Sequence, residues 1–222
     1  MTNAYLIPLQ TAFEQQANTA NAVPMEAYMR GQFPFYGIKS PERKQILKQF
    51  LASYGLPQSQ YLEPIIKEMW VQPEREWQYC AQEILKRSKK LWGANILSLF
   101  EWLILEKPWW DTVDFISSHL VGTYLAKEPK SIKSITSDWA NSQNIWLIRT
   151  AIIFQRGYKG STDEQLLFQY IRQHYGHKDF FIRKAIGWAL REYAKTNPDA
   201  VLAFVQAQPL SPLSQKEALR RL

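Results

Sequence analysis

Cysteine is almost missing from this sequence: Cys80 is the only one in 222 residues, which excludes a disulfide framework and a cysteine-ligated zinc site. Histidine is scarce as well, with three residues. His174 and His177 stand three apart beside Gly176 without a helix-borne carboxylate or third ligand, and His119 stands alone, so no metal is expected. No apolar run reaches membrane-spanning length, and Met1 to Phe13 carry neither a basic leader nor a long apolar stretch. A soluble, unprocessed chain in a reducing cytoplasm is therefore expected, with no membrane partner. The two-glycine spacing of a Walker loop and the Gly-x-Ser-x-Gly elbow are both lacking, and Cys80 has no evident base. Nucleotide hydrolysis and covalent hydrolase chemistry have no foothold, and no cofactor is implied.

What the chain does have is positive charge and aromatic rings. Lys and Arg number 27 against 20 Asp and Glu, a net charge of +7, which suits a polyanionic partner without naming it. Nine tryptophans and 14% aromatic residues exceed what a domain of this size needs for its core alone, so some rings are candidates for a working surface. The length suffices for one compact domain over residues 1–222 with its own core.

Apolar residues recur at three- and four-residue spacing through Ile46 to Tyr54, Glu63 to Trp70, Trp77 to Leu85 and Asn95 to Ile104, and strand alternation is hardly visible. Proline marks the breaks at Ser40-Pro41, Gln72-Pro73, Lys107-Pro108, Glu128-Pro129 and Asn197-Pro198. Ile145 to Ile152 align without gaps on Asp179 to Ile186 at an offset of 34, and steps of 35 lead back to Phe115-Ile116 and Cys80-Ala81. That period predicts an all-α, HEAT-like solenoid of helix pairs in which Tyr79, Asp114, Arg149 and Arg183 line up as a polar column. An irregular helical bundle is the competing reading.

Three clusters carry candidate chemistry. Trp110 and Asp114 share a helical face at four-residue spacing in Trp109-Trp110-Asp111-Thr112-Val113-Asp114, with Asp111 near the helix start suited to a structural, amide-satisfying role. A carboxylate beside an aromatic face is suited to a cation such as an oxocarbenium ion. The plain alternatives are core packing for Trp110 and a buried salt bridge for Asp114, Arg149 being a candidate partner. Lys184, Trp188 and Arg191 share one face of a second helix, where mid-helix Gly187 costs about 1 kcal/mol against alanine and so implies close approach by a helix or ligand. In Gly37-Ile38-Lys39-Ser40-Pro41-Glu42-Arg43-Lys44, Ser40 reads as an N-cap, and Arg43 and Lys44 in the first turn suit a phosphate or a plain capped helix.

The blocks Met25 to Arg30, Phe33 to Arg43, Trp109 to Asp114, Asn144 to Arg149 and Lys184 to Pro198 together resemble AlkD-type alkylpurine DNA glycosylases, in the same order along nearly the whole chain. The resemblance implies a HEAT-like superhelix whose concave basic face holds double-stranded DNA. It implies Asp114 as catalytic carboxylate, Trp110 and Trp188 flanking the deoxyribose of the lesion, Tyr28 nearby, and Arg43, Lys44, Arg149 and Arg191 on DNA. The activity implied is monofunctional hydrolysis of the N-glycosidic bond of cationic N3- and N7-alkylated purines, without an enclosing base pocket and by a monomer. A non-catalytic helical-repeat DNA-binding or scaffold protein is the alternative.

Overall fold

In the computed structural model, which describes residues 3–220, the chain is helical and has no strand among those residues. Met1, Thr2, Arg221 and Leu222, part of the expected 1–222 domain, lie outside the described residues. The helices in chain order are α1 (Ile7–Gln15), α2 (Thr19–Tyr28), α3 (Ser40–Tyr54), α4 (Ser59–Val71), α5 (Arg75–Arg87), α6 (Ile96–Leu105), α7 (Trp110–Phe115), α8 (Gly122–Leu125), α9 (Ile132–Ala140), α10 (Ile145–Ile153), α11 (Glu164–His174), α12 (Phe180–Tyr193), α13 (Pro198–Ala207) and α14 (Pro212–Ala218).

Five of them begin 35 residues apart, at Ser40, Arg75, Trp110, Ile145 and Phe180, while the helices between them start at irregular intervals. Each repeat thus has one strictly periodic helix and one variable helix, the pattern of a helical-repeat fold. The caps repeat with the helices: Asn144 Oδ1 accepts from Trp146 N at 2.9 Å, and Asp179 Oδ1 accepts from Phe181 N at 2.7 Å. The structural register is one residue longer than the offset of 34 read from the sequence, so Lys184 rather than Arg183 is the positional equivalent of Arg149. Arg183 Nε donates to His177 O instead and leaves the expected column.

The chain divides within α6 into two compact units, Met1–Leu99 and Phe100–Leu222. In the first, α3 packs on α1 and α5, and α4 packs on α5, around buried Leu9, Phe13, Leu47, Ile66, Trp70 and Trp77. In the second, α10 packs between α7 and α12, and α12 packs on α14. Buried Val113, Ile116, Ile152, Phe154, Ile186 and Leu190 fill that stack. Fully burying each such side chain contributes roughly 1.5–3 kcal/mol, so the periodic helices hold the repeats together.

Residues 110–125 form one continuous helix with a π-helical stretch, Ile116–Val121, between α7 and α8. Such wide turns recur at functional sites because the extra residue re-aims the side chains around it. This one is pinned to α10 and the turn that follows it. Ser117 Oγ lies 2.8 Å from Thr150 Oγ1, Tyr158 Oη donates to Gly122 O at 2.7 Å, and a Cβ on Gly122 would strike the carbonyl of Phe154.

Candidate functional site

The fifth residue of each periodic helix is polar: Lys44, Tyr79, Asp114, Arg149 and Lys184. At Asp114 and Arg149 this position is a packing contact and not an open surface. Asp114 is 8% exposed and Arg149 is 3% exposed. They form a side-on pair, with Arg149 Nε donating to Asp114 Oδ1 at 2.6 Å and Nη2 to Oδ2 at 2.8 Å. Arg149 Nη1 donates to the carbonyl of Phe181, so one guanidinium ties α7, α10 and α12 together. Two parallel bonds fix the carboxylate plane as well as its position. The sequence alternative of a buried salt bridge describes Asp114 correctly, and Arg149 is placed as its partner with no side-chain face free for a phosphate.

Trp110 opens α7 one turn before Asp114 and is half-buried. Beside it, Trp109 packs on Trp146 and Phe181 with ring centroids 5.9 and 5.1 Å apart, so the starts of α7, α10 and α12 share an aromatic cluster. Trp188 projects from α12, also half-buried, and its ring carries a cation: Arg156 Cζ sits 3.5 Å from the ring centroid. Arg156 Nη1 donates to Ser118 Oγ at 3.1 Å, which links Trp188 to the helix that bears Asp114. Burial lowers the Arg156 pKa, and the Asp114 carboxylate is the leading influence that opposes this. Its Nε is buried without a hydrogen-bond acceptor.

Sequence reasoning missed Arg156, because it lies beyond the aligned segments, in Gln155-Arg156-Gly157. The 35-residue register supplies the signal: Arg156 is the positional equivalent of Arg191 one repeat earlier. Arg191 itself donates from Nη1 to Glu217 Oε2 at 2.8 Å, and Lys184 Nζ pairs with Glu217 Oε1 at 2.7 Å. Glu217 on α14 thus collects both cations that flank Trp188 on α12. The hydrogen bond from Lys184 is the main reason its pKa is held below the usual carboxylate range. Gly187 is explained by the same packing, since an added Cβ would stand 2.5 Å from Glu217 Cβ and 2.7 Å from Ser214 O. A helix, not a ligand, requires that glycine.

In the first unit, buried Glu76 accepts from the backbone N–H groups of Tyr36 at 3.2 Å and of Gly37 and Ile38 at 3.0 Å each. Burial raises its pKa against the effect of those three donors. This carboxylate shapes the turn that delivers α3. Gly37 is obligatory there, with φ 84° and a Cβ that would run into the backbone of Asn18 and Ala22. The expected Ser40 cap is displaced by one residue: Lys39 is the N-cap, without a side-chain bond, and Ser40 is already helical. Lys44 is exposed, whereas Arg43 lies 4.3 Å over the Tyr79 ring. Tyr28, 68% exposed, lines an open groove of about 570 Å³ with Met25, Met29, Phe35, Arg43 and Tyr79.

Among the described residues no group of three or more His, Cys, Asp or Glu is arranged to hold a metal ion, and no helix is long and apolar enough to cross a membrane. His174 Nε2 lies 2.8 Å from Ala140 O, and His177 Nδ1 accepts from Asp179 N at 3.0 Å. Both histidines therefore have local structural contacts.

The DNA alkylation repair enzyme family matches residues 9–222. A solved structure described as a predicted DNA alkylation repair enzyme from Enterococcus faecalis is similar at a TM-score of 0.87 and 33% identity, over 93% of this chain and 97% of that one. The structure of smu.31 from Streptococcus mutans UA159 has the same fold, with a TM-score of 0.61 at 16% identity over 95% and 99% of the two chains. No curated protein matches the chain.

Proposed function

The chain belongs to the DNA alkylation repair enzyme family, and from that premise we propose that it is a monofunctional DNA glycosylase. Its substrates are cationic N3- and N7-alkylated purines in duplex DNA, and its reaction is hydrolysis of their N-glycosidic bond, carried out in the cytoplasm by a monomer without cofactor. The observation that carries the proposal is the cation already seated on Trp188. An indole face that holds a guanidinium at 3.5 Å, with the Asp114 carboxylate acting on that same guanidinium, is electrostatically suited to a positively charged sugar.

An alkylated purine carries positive charge and leaves without being protonated, so the protein has only to stabilise the charge that moves onto the deoxyribose. Asp114 supplies a fixed negative charge, and Trp110 and Trp188 supply the negative faces of their rings. Arg149 is a positioning residue that holds the carboxylate plane, and Asp114 orients or deprotonates the attacking water. Tyr28, Arg43, Lys44 and Arg191 are proposed to meet the DNA, with a phosphate competing against Glu217 for Arg191. Leaving-group charge then sets selectivity. A duplex carrying 7-methylguanine should release that base, whereas one carrying neutral ethenoadenine should not; comparable release of both would refute the mechanism.

The side-on pair also favours a second reading, a non-catalytic helical-repeat DNA-binding protein, because Arg149 engages both oxygens of Asp114. That reading predicts duplex binding with no base release at all.

A further inference from the structure

Beside Trp188, between the ends of α10 and α12, lies a cavity of about 330 Å³ that the candidate catalytic groups do not line. Its wall carries Arg156, Lys159 and Lys195, the hydroxyls of Thr162 and Thr196, and one carboxylate, Glu192. Lys195 Nζ is paired with Glu192 Oε2 at 2.7 Å, which leaves the charge of the wall positive. Neither lysine lies in the last turn of α10 or α12, so the dipoles of those helices do not account for them. Arg156 also faces the cavity, with Nη1 donating to Ser118 Oγ at 3.1 Å and Nε buried without an acceptor. The Arg156 side chain lines the cavity together with two lysines, and a phosphate group presents several acceptors to such a cluster at once. Lys159 is held at φ 53°, a conformation uncommon outside glycine, asparagine and aspartate, so the turn that presents its ammonium is conformationally costly.

We infer that this cavity takes a backbone phosphate of the bound DNA, received by Arg156, Lys159 and Lys195. The inference rests on the DNA-repair reading and adds a subsite to it. Drawing Arg156 onto the phosphate then frees the Trp188 face that it covers, so that seating the strand and seating the sugar involve one side chain.

The test is the salt dependence of binding to an undamaged duplex, followed by fluorescence anisotropy, which needs no base release. The variants are Lys159→Asn, chosen because asparagine accepts the left-handed backbone, and Lys195→Gln, with exposed Lys133→Gln on α9 as control. Loss of one phosphate contact should lower the slope of log K against log salt by about 0.9 for each cavity lysine, with Lys133→Gln at the wild-type slope. Slopes in the cavity variants no lower than that of the control would overturn the inference while leaving DNA binding intact. Phosphorus NMR of inorganic phosphate with the same proteins separates the other source of the ligand. Phosphate broadened by wild type and not by the cavity variants, with duplex slopes unchanged, would make this a free-phosphate site and overturn the DNA assignment. A wild-type chain that fails to bind duplex at low salt would instead refute the DNA-repair reading itself.

Discussion

Replacing Arg149 with methionine removes the guanidinium while keeping an unbranched, apolar side chain of similar reach. The structure fixes what is lost: two bonds to Asp114 at 2.6 and 2.8 Å and a third to the Phe181 carbonyl, with side-chain exposures of 4% for Arg149 and 10% for Asp114. Removing one member of a buried ion pair leaves the other charge uncompensated and costs about 3–5 kcal/mol. At about 2–4 °C per kcal/mol for a chain of this length, the melting temperature should fall by roughly 6–20 °C. Asp114→Asn leaves the opposite charge stranded and should also destabilise, but the double variant Asp114→Asn with Arg149→Met strands neither. Urea unfolding of the four proteins forms a double-mutant cycle, and the pair should show a coupling of about 2–3 kcal/mol. Additivity within about 0.5 kcal/mol would refute the buried pair and, with it, the positioning role of Arg149.

Gly187→Ala gains about 1 kcal/mol of helix propensity but forces α14 away from α12, since Ser214 O and Glu217 Cβ occupy the space; calorimetry should record a net loss of about 1–2 kcal/mol. Glu76→Gln presents an NH2 group to one of the three N–H donors it now satisfies, so the urea midpoint should drop by the equivalent of about 1–3 kcal/mol. The depressed pKa of Glu217 contributes stability that is present above its unfolded value and is lost as pH falls through its folded value. Unfolding followed across the acid range should therefore show a shallower pH dependence in Glu217→Gln, and an unchanged acid limb would contradict the ion-pair assignment.

Much of this architecture was legible from the chain because the repeat writes itself into helix starts: a proline, an Asx cap or an aromatic recurs near each 35-residue step. Gapless alignment of two segments came within one residue of the true register, and the error fell on Arg183, where the cap geometry at Asp179 decides. The pairing of Asp114 with Arg149 could be named as an alternative, since residues one repeat apart meet in a solenoid. Their near-complete burial could not, because it depends on how closely α7, α10 and α12 approach. Ser40 looked like a cap because serine before proline usually is one; Glu76, distant in sequence, sets the turn at Gly37 instead. The π-helical stretch and the stacking of Arg156 on Trp188 have no local sequence signal. Both arise from tertiary contacts with α10 and the turn that follows it.

The central claim is chemical, and its most direct measurement is release of 7-methylguanine from a methylated duplex by wild type and by Asp114→Asn, compared at equal DNA occupancy. The account predicts release by the wild-type protein and its loss in the variant with binding retained. Equal release by both proteins, or none by either while both bind DNA, would contradict it.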